Sequence, residues 1–441
     1  MAPNGDRSAL PSVNIPRWQR VAENLTAAIM TDWGEEVVCL FEPDASASTN
    51  ATGIRYEATE HWSVSGKPKM PTQWVPVSVL SHDSLIGASD YLAIQQAIAL
   101  CSAEGKESPS GPFARLGWFK ELSEWVETVI EPLGFHLNGN VRQLNASPSF
   151  SLLRFETDGP ALWFKAVGKP NQKESLITCT LAQLFPNYLP GVLAAQPDWN
   201  GWLTREAAGK LLCQVQEGAL WKRAASALAD LQIESFDHVA RILGAGARDL
   251  GVATLSKLIQ PFIESITELM QRQTKMPPAA LGRQELLLLG ERIQGALDSL
   301  EALGIPDTLG HLDLNPGNIV VSPTRCAFLD WAEAYVGNAF FSLQYLLEHL
   351  RRTIGTDSAV EAKLVQSYCA QWEVLVPRGA VSEALALAPL LAIFAYAAGS
   401  DAWEDRERLE KPATAGYLRS LTRRMNREAN ELADRRSLCK C

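Results

Sequence analysis

Apolar positions recur at helical spacing over Arg17–Met30, and a short apolar run at Val37–Phe41 follows with the length of a strand. After a polar loop at 45–52, strand-like runs fall at Ile54–Thr59 and Trp74–Leu80, and a helical pattern covers Ser89–Ala103. The period then returns to helical over Trp118–Leu133. Beyond it the alternation becomes two-fold at Asn140–Asn145, Phe150–Thr157 and Ala161–Val167, with the turn Asp158-Gly159-Pro160 joining the last two. A helix over Lys173–Leu184 precedes two more short strands, Gly191–Ala195 and Gly201–Thr204. From Gly209 onward the spacing is helical: Trp221–Gln232, His238–Leu243, Leu250–Arg272, Gly282–Leu303 and Ser382–Ala398, the last with Ser382 as N-cap and a kink at Pro389.

These elements predict an α+β chain in four parts. Residues 1–16 read as a flexible leader and 17–110 as a small α/β accessory domain of unassigned role. Residues 111–205 form a unit of five antiparallel strands and one helix, and 206–441 a mostly helical unit. The polar stretch Glu104–Gly111 is the linker between the accessory part and the rest.

Composition narrows the function classes. With 441 residues, 46% hydrophobic and 20% charged, the chain is rich enough to bury a full core. A net charge of −10 argues against a general nucleic-acid binder. No run of about 18 apolar residues appears, so no membrane partner is expected; Ala384–Gly399 reads as a buried helix interrupted by Pro389. The start lacks an apolar signal region, and the eight cysteines form neither a CxxC pair nor a dense framework. Reduced, buried thiols in a cytoplasmic protein are the expectation. Nothing in the sequence fixes an oligomeric state.

One hairpin interrupts the helical half. Residues 309–331 read LGHLDLNPGNIVVSPTRCAFLDW: a polar loop, a strand at Ile319–Val321, a turn at Ser322–Arg325, and a strand at Ala327–Leu329 that ends at Asp330. Phosphoryl transfer needs metal ions to neutralise phosphate charge and a carboxylate to orient and deprotonate the attacking hydroxyl. Mg²⁺ takes oxygen ligands, typically one or two carboxylates plus phosphates and water. Asn318 and Asp330 offer such oxygens at adjacent strand ends, and Asp313 stands apart from them as a base. The plainer alternative is a polar hairpin with no chemistry.

The spacing His311-x-Asp313-x₄-Asn318, followed by Asp330-Trp331, resembles the aminoglycoside phosphotransferase and choline kinase group over roughly 113–398. The resemblance implies a two-lobed protein-kinase-like fold, with Asp313 as catalytic base, His311 bracing its loop, and Asn318 and Asp330 holding Mg²⁺. It implies ATP or GTP as phosphoryl donor and a small-molecule hydroxyl as acceptor. Lys165, alone in the apolar strand ALWFKA, would reach the phosphates, and Glu174 on the next helix would hold it. No glycine-rich loop is present; Ser147 and Ser149, between the first two strands, would contact phosphate instead. Leu203, Thr204 and Arg205 would fall at the adenine edge. The chain departs from the group where G-D-P-x-x-D is usual: it carries Gly337-Asn338-Ala339-Phe340-Phe341-Ser342, with Ser342 offering a neutral hydrogen bond in place of the second carboxylate. That departure keeps open an alternative, a catalytically impaired kinase-like module that binds nucleotide or a partner. A function seated in 17–103 has no paired carboxylates or nucleophile to support it.

The acceptor side would come from residues after Asp330. Residues 331–410 carry eleven acidic and six basic side chains, among them Glu333, Glu348, Asp401, Glu404 and Asp405. Such acidity suits a cationic alcohol, an amino sugar or amino alcohol, unless these residues belong to a solvated surface. Trp331, Tyr335, Phe340, Phe341, Tyr345 and Trp403 would stack on it or form core. The basic tail Arg419–Arg436 reads as an exposed amphipathic helix.

Overall fold

The computed structural model describes residues 2–4, 7–16, 20–43, 55–63, 74–80, 85, 88–101, 113, 115–147, 150–355 and 358–438. The linker 104–111 and the loop 45–52 lie outside them. The chain divides into two compact units, one of residues 1–175 and 191–206, the other of 176–190 and 207–441.

The first unit opens with a short antiparallel pair, β1 (Ala2–Asn4) and β2 (Arg7–Ala9). Helix α1 (Val21–Trp33) ends at Gly34, whose φ of 75° is the left-handed cap that glycine adopts without strain. A second antiparallel pair follows, β3 (Glu36–Phe41) and β4 (Ala58–Ser63), then α2 (Ala88–Cys101) and α3 (Trp118–Ile130). The strand predicted at Ile54–Thr59 falls later in the chain: residues 55–57 are not in a strand, and β4 starts at Ala58 and ends at Ser63. Trp74–Leu80 departs from its predicted strand: Pro76 removes a ladder donor, and Val77–Val79 turns as a 3₁₀ helix with Trp74 exposed. The main sheet comprises β5 (Leu137–Ser147), β6 (Phe150–Thr157), β7 (Leu162–Val167), β8 (Val192–Gln196) and β9 (Gly201–Arg205) in the order β5-β6-β7-β9-β8, antiparallel throughout. Helix α4 (Glu174–Leu184) leaves β7 and crosses into the second unit.

Buried positions on α3 recur at 118, 119, 122, 126 and 130, one helical face, and meet Leu153, Phe155, Leu162 and Phe164 from the sheet. Val38, Leu40 and Phe41 of β3 join the same core. A buried amide fastens them: the Cys39 N–H donates to Gln143 Oε1 at 2.7 Å, and Gln143 Nε2 donates to the Cys39 carbonyl at 2.9 Å. Gln143 thereby supplies both halves of a strand pairing and leaves no buried polar atom of either group unmet.

The second unit is helical: α5 (Gly218–Glu234), α6 (Val239–Gly244), α7 (Val252–Gln271), α8 (Arg283–Ala302), α9 (Phe340–Thr353), α10 (Ser358–Trp372), α11 (Arg378–Gly399), α12 (Arg406–Glu410) and α13 (Pro412–Leu438). Two three-stranded sheets are set among them. One is β10 (Lys210–Leu211), β13 (Ile319–Val321) and β14 (Cys326–Phe328); the other joins β11 (Arg248–Leu250), β15 (Ala334–Gly337) and β12 (Thr308–His311). Leu250, predicted inside a helix, ends strand β11 instead, and α7 starts two residues later.

Helix α11 corrects two expectations. It starts at Arg378 after Pro377, so Ser382 lies inside it and caps nothing. At 22 residues it is the one described helix long and apolar enough to cross a membrane, yet Leu387, Leu391, Phe394 and Ala395 are fully buried in this unit's core. The basic tail is likewise half-buried: Leu418, Thr422, Met425 and Ala429 face inward on α13, while Arg424 and Arg436 pair with Glu348 and Glu383. Six described strands escaped the sequence reading, β1 and β2 in the stretch read as a leader and β10, β11, β12 and β15 in this unit, because each is four residues or fewer, too short to show a period.

Candidate active site

The polar loop starts at the end of β12. His311 is fully buried, and its ring is fixed from both sides. The Asp313 backbone N–H donates to Nδ1 at 3.1 Å, so Nε2 carries the proton and donates to the Leu329 carbonyl at 3.0 Å. One imidazole therefore ties the loop to the end of β14, one residue before Asp330. The Trp331 ring lies 4.8 Å from it, with its indole N–H on the Phe328 carbonyl.

Asp313 is exposed, and its carboxylate is oriented by two amides. Asn315 Nδ2 donates to Oδ1 at 3.1 Å, and Asn318 Nδ2 to Oδ2 at 3.2 Å and to the Asp313 carbonyl at 3.0 Å. Asn315 Oδ1 accepts the Gly317 N–H at 2.8 Å and starts the short turn Pro316–Asn318. Because Asn318 spends its amide hydrogens on Asp313, its carbonyl oxygen Oδ1 is left for a cation. The Leu329 N–H donates to the Asn318 carbonyl at 2.8 Å, which brings Asp330 alongside. Asp330 has φ 62° and ψ 66°, one of two described non-glycine residues in the left-handed region. Such backbone costs of order 1–3 kcal/mol and clusters at functional sites.

The loop's support comes from Ser342 on α9. The His311 backbone N–H donates to Ser342 Oγ at 2.8 Å. The Tyr335 hydroxyl donates to the Asn338 carbonyl at 2.9 Å, so at 3.1 Å it accepts from Ser342. Gly310 makes room: a Cβ there would meet the Tyr335 ring at 2.0 Å.

Glu333 stands behind the site, paired with Arg248 from β11. Burial pushes its carboxyl up, Arg248 opposes this, and the charges of Asp313 and Asp330 add to it. His349 and Tyr396 also feel the Asp313 charge. Burial, then Arg352, hold the His349 imidazole below its usual value; burial, then Tyr417, raise Tyr396.

In the first unit Lys165 and Glu174 meet. The ammonium lies 2.5 Å from Glu174 Oε1, with the lysine side chain 12% and the glutamate 1% exposed, and with the Phe150 and Trp202 rings 5.3 and 5.7 Å away. A buried ammonium needs such company. Ser147 is the last residue of β5 and pairs with Phe150, which shortens the predicted polar loop to residues 148–149; Ser149 lies outside the described residues. Leu203 and Thr204 sit inside the sheet with ladder partners on both sides. The Arg205 and Glu206 N–H groups donate to the Gly191 and Ala161 carbonyls, and the chain passes to the second unit after Glu206.

The acidity after Asp330 is largely matched by arginine. Glu333 pairs with Arg248, Glu348 with Arg424 and Arg352, Glu361 with Arg351, and Asp405 with Arg408. Trp331, Tyr335, Phe340, Phe341 and Trp403 are buried core, so they stack on protein. Sequence reasoning missed Asn315 and Arg248. Asn315 carried a signal, since Asn before Pro-Gly is a turn former. Arg248 carried none, because it meets Glu333 across 85 residues only once β11 has paired with β15.

Residues 202–378 match the model of the phosphotransferase enzyme family. Solved structures with a similar fold include macrolide 2'-phosphotransferase from Brachybacterium faecium, at 17% identity and TM-score 0.44 over 68% of this chain and 98% of that one. Choline kinase from Cryptosporidium parvum matches at 13% identity and TM-score 0.46, over 71% and 96%. Spectinomycin phosphotransferase, solved with ADP and spectinomycin, matches at 11% identity and TM-score 0.42, over 70% and 98%. No curated protein sequence matches the chain. The fold class is α+β, a five-stranded antiparallel unit and a helical unit carrying the hairpin loop.

Proposed function

We propose that the chain transfers the γ-phosphoryl group of ATP or GTP to the hydroxyl of a small molecule, in the cytoplasm. The observation that carries this reading is the double amide clamp on Asp313, which aims an exposed carboxylate without neutralising it. Asp313 takes the proton of the acceptor hydroxyl as its oxygen attacks the γ-phosphorus, and the bond from that phosphorus to the bridging oxygen breaks. Lys165, held by Glu174, binds the phosphates. Asn318 Oδ1 and the Asp330 carboxylate are hard oxygen donors suited to Mg²⁺, and the two together leave most of its shell to phosphate and water. Bound there, Mg²⁺ would neutralise charge on the transferring group. Ser147 and the segment leaving β9 at Leu203, Thr204 and Arg205 are the proposed phosphate and adenine contacts.

For the acceptor, an amino sugar or amino alcohol remains the class we favour, with Asp313, Glu333, His349 and Tyr396 around its hydroxyl. The arginine pairing described above means that local recognition by these few groups, and no broad acidic field, would select it. The impaired-module alternative drew on the missing G-D-P-x-x-D carboxylate; against it stands the Ser342 bond to the His311 N–H, which meets the loop backbone with a neutral acceptor.

The test is an ATP-consumption screen over amino sugars, amino alcohols, nucleosides and sugar alcohols, with Asp313→Asn as control. Turnover with one class and none in the control is expected. A melting temperature unmoved by saturating Mg·ATP, with no consumption for any acceptor, would overturn the reading.

A further inference from the structure

A cavity of about 870 Å³ lies in the second unit, on the far side of the β13–β14 hairpin from Asn318 and Asp330. It is bounded by the loop after α4, one face of α5, and the hairpin turn. The three residues of β13, Ile319–Val321, separate that turn from Asn318, about 10 Å at roughly 3.3 Å per residue. None of the residues proposed for transfer lines it.

Its wall is basic in a chain of net charge −10. Lys222, Arg223 and Arg325 line it, and among the described residues none of the three has a carboxylate partner within ion-pair distance. Arg351, Arg408, Arg424 and Arg436 of the same unit, by contrast, each meet a carboxylate. Arg325 is also fixed in place. Its Nη2 donates to the Pro186 and Leu189 carbonyls at 2.9 and 3.1 Å, which hold the guanidinium without cancelling its charge. Arg223 turns toward the same place, since its charge acts on the buried Cys326 thiol next to Arg325. The first turn of α5, whose free N–H groups carry the positive end of the helix dipole, adds to the field. Asp230, the one acidic residue in the wall, lies two turns beyond Lys222, about 12 Å along the helix axis. The hydroxyls of Ser226 and Thr324 complete a polar lining.

We infer that this cavity binds a small molecule with a phosphate or carboxylate head group, at a place separate from the phosphoryl-transfer residues. Three unpaired cations converging from two elements, one of them clamped by backbone, suit an anion with more than one negative oxygen. The volume is that of a ligand site for a molecule of nucleotide size or less. Occupancy would brace the turn of the hairpin whose other end carries Asn318 and Asp330.

Isothermal titration of the full chain with inorganic pyrophosphate and with citrate tests this, on the wild type, on Lys222→Glu with Arg223→Glu, and on Lys165→Ala. Both reversed positions are exposed, so circular dichroism melts of the double variant should match the wild type. At low ionic strength at least one anion should bind wild type and Lys165→Ala equally, at least about ten-fold tighter than the double variant, and binding should weaken in 0.5 M salt. The tighter anion names the head group. Absence of binding by both anions would overturn the inference, as would binding lost in Lys165→Ala and kept in the double variant. So would a poly-glutamate peptide binding more tightly than either anion, which would make the groove a docking place for an acidic protein segment.

Discussion

Ser342 accepts the buried His311 N–H and donates to the Tyr335 hydroxyl, so a neutral hydroxyl meets the backbone at the start of the loop. The group it serves is an amide, and an amide needs an acceptor rather than a counter-charge. Ser342→Ala should therefore leave a buried donor unmet, at about 1–3 kcal/mol. We expect a lower melting temperature and a lower kcat with KM for ATP little changed; an unchanged kcat would show that the bond is structural only. Asp313→Asn separates differently. The residue is exposed, so the variant should melt like the wild type while kcat falls at least about 10²-fold. Wild-type turnover in that variant would remove Asp313 as the base.

The hairpin shows why part of this site was legible in sequence and part was not. The loop residues lie within twenty positions of one another, and their side chains close on their own backbone: Asp313, Asn315, Asn318 and, through His311, Leu329. Local closure of this kind leaves a readable spacing. The Lys165–Glu174 pair is read for the same reason, one strand and one helix apart. Arg248 reaches Glu333 by tertiary packing alone and carries no spacing to read. Strands β11, β12 and β15 are too short for periodicity, yet they set the height at which His311 stands. Two variants probe this element. Asp330→Asn keeps a residue that tolerates the left-handed region, whereas Asp330→Ala adds strain of about 1 kcal/mol. Both should lose the Mg²⁺-dependent part of ATP stabilisation, and only the alanine should also lower the melting temperature of the free protein. Gly310→Ala would drive a Cβ into the Tyr335 ring, and overpacking of this kind costs typically about 1–3 kcal/mol. A variant as stable as wild type would mean the ring can withdraw without cost.

Across the whole chain, charge is arranged in layers that the net value of −10 conceals. In the second unit, Glu333, Glu348, Glu361, Glu383 and Asp405 each meet an arginine, and Lys222, Arg223 and Arg325, which among the described residues meet no carboxylate, line one cavity. In the first unit the opposite occurs near β4, where carboxylates are taken out of water. Burial pushes the Glu57 carboxyl up to about 7 from an ordinary 4.5; Arg55 at 3.2 Å opposes this, and Glu42 adds to it. A carboxyl raised in the folded state binds its proton more tightly there than in the unfolded chain. Stability should therefore rise as pH falls from above 7 toward 4.5, and the penalty of the buried charge should be complete above 7. Glu57→Gln removes the titration and keeps the shape, while Arg55 retains Glu42 at 3.0 Å. The variant should be more stable than wild type at pH 8, by up to about 3 kcal/mol, with the gap closing toward pH 5. Urea unfolding of both proteins at the two pH values measures it, and a gap that stays the same at pH 8 and pH 5 would show that Glu57 is not the titrating group.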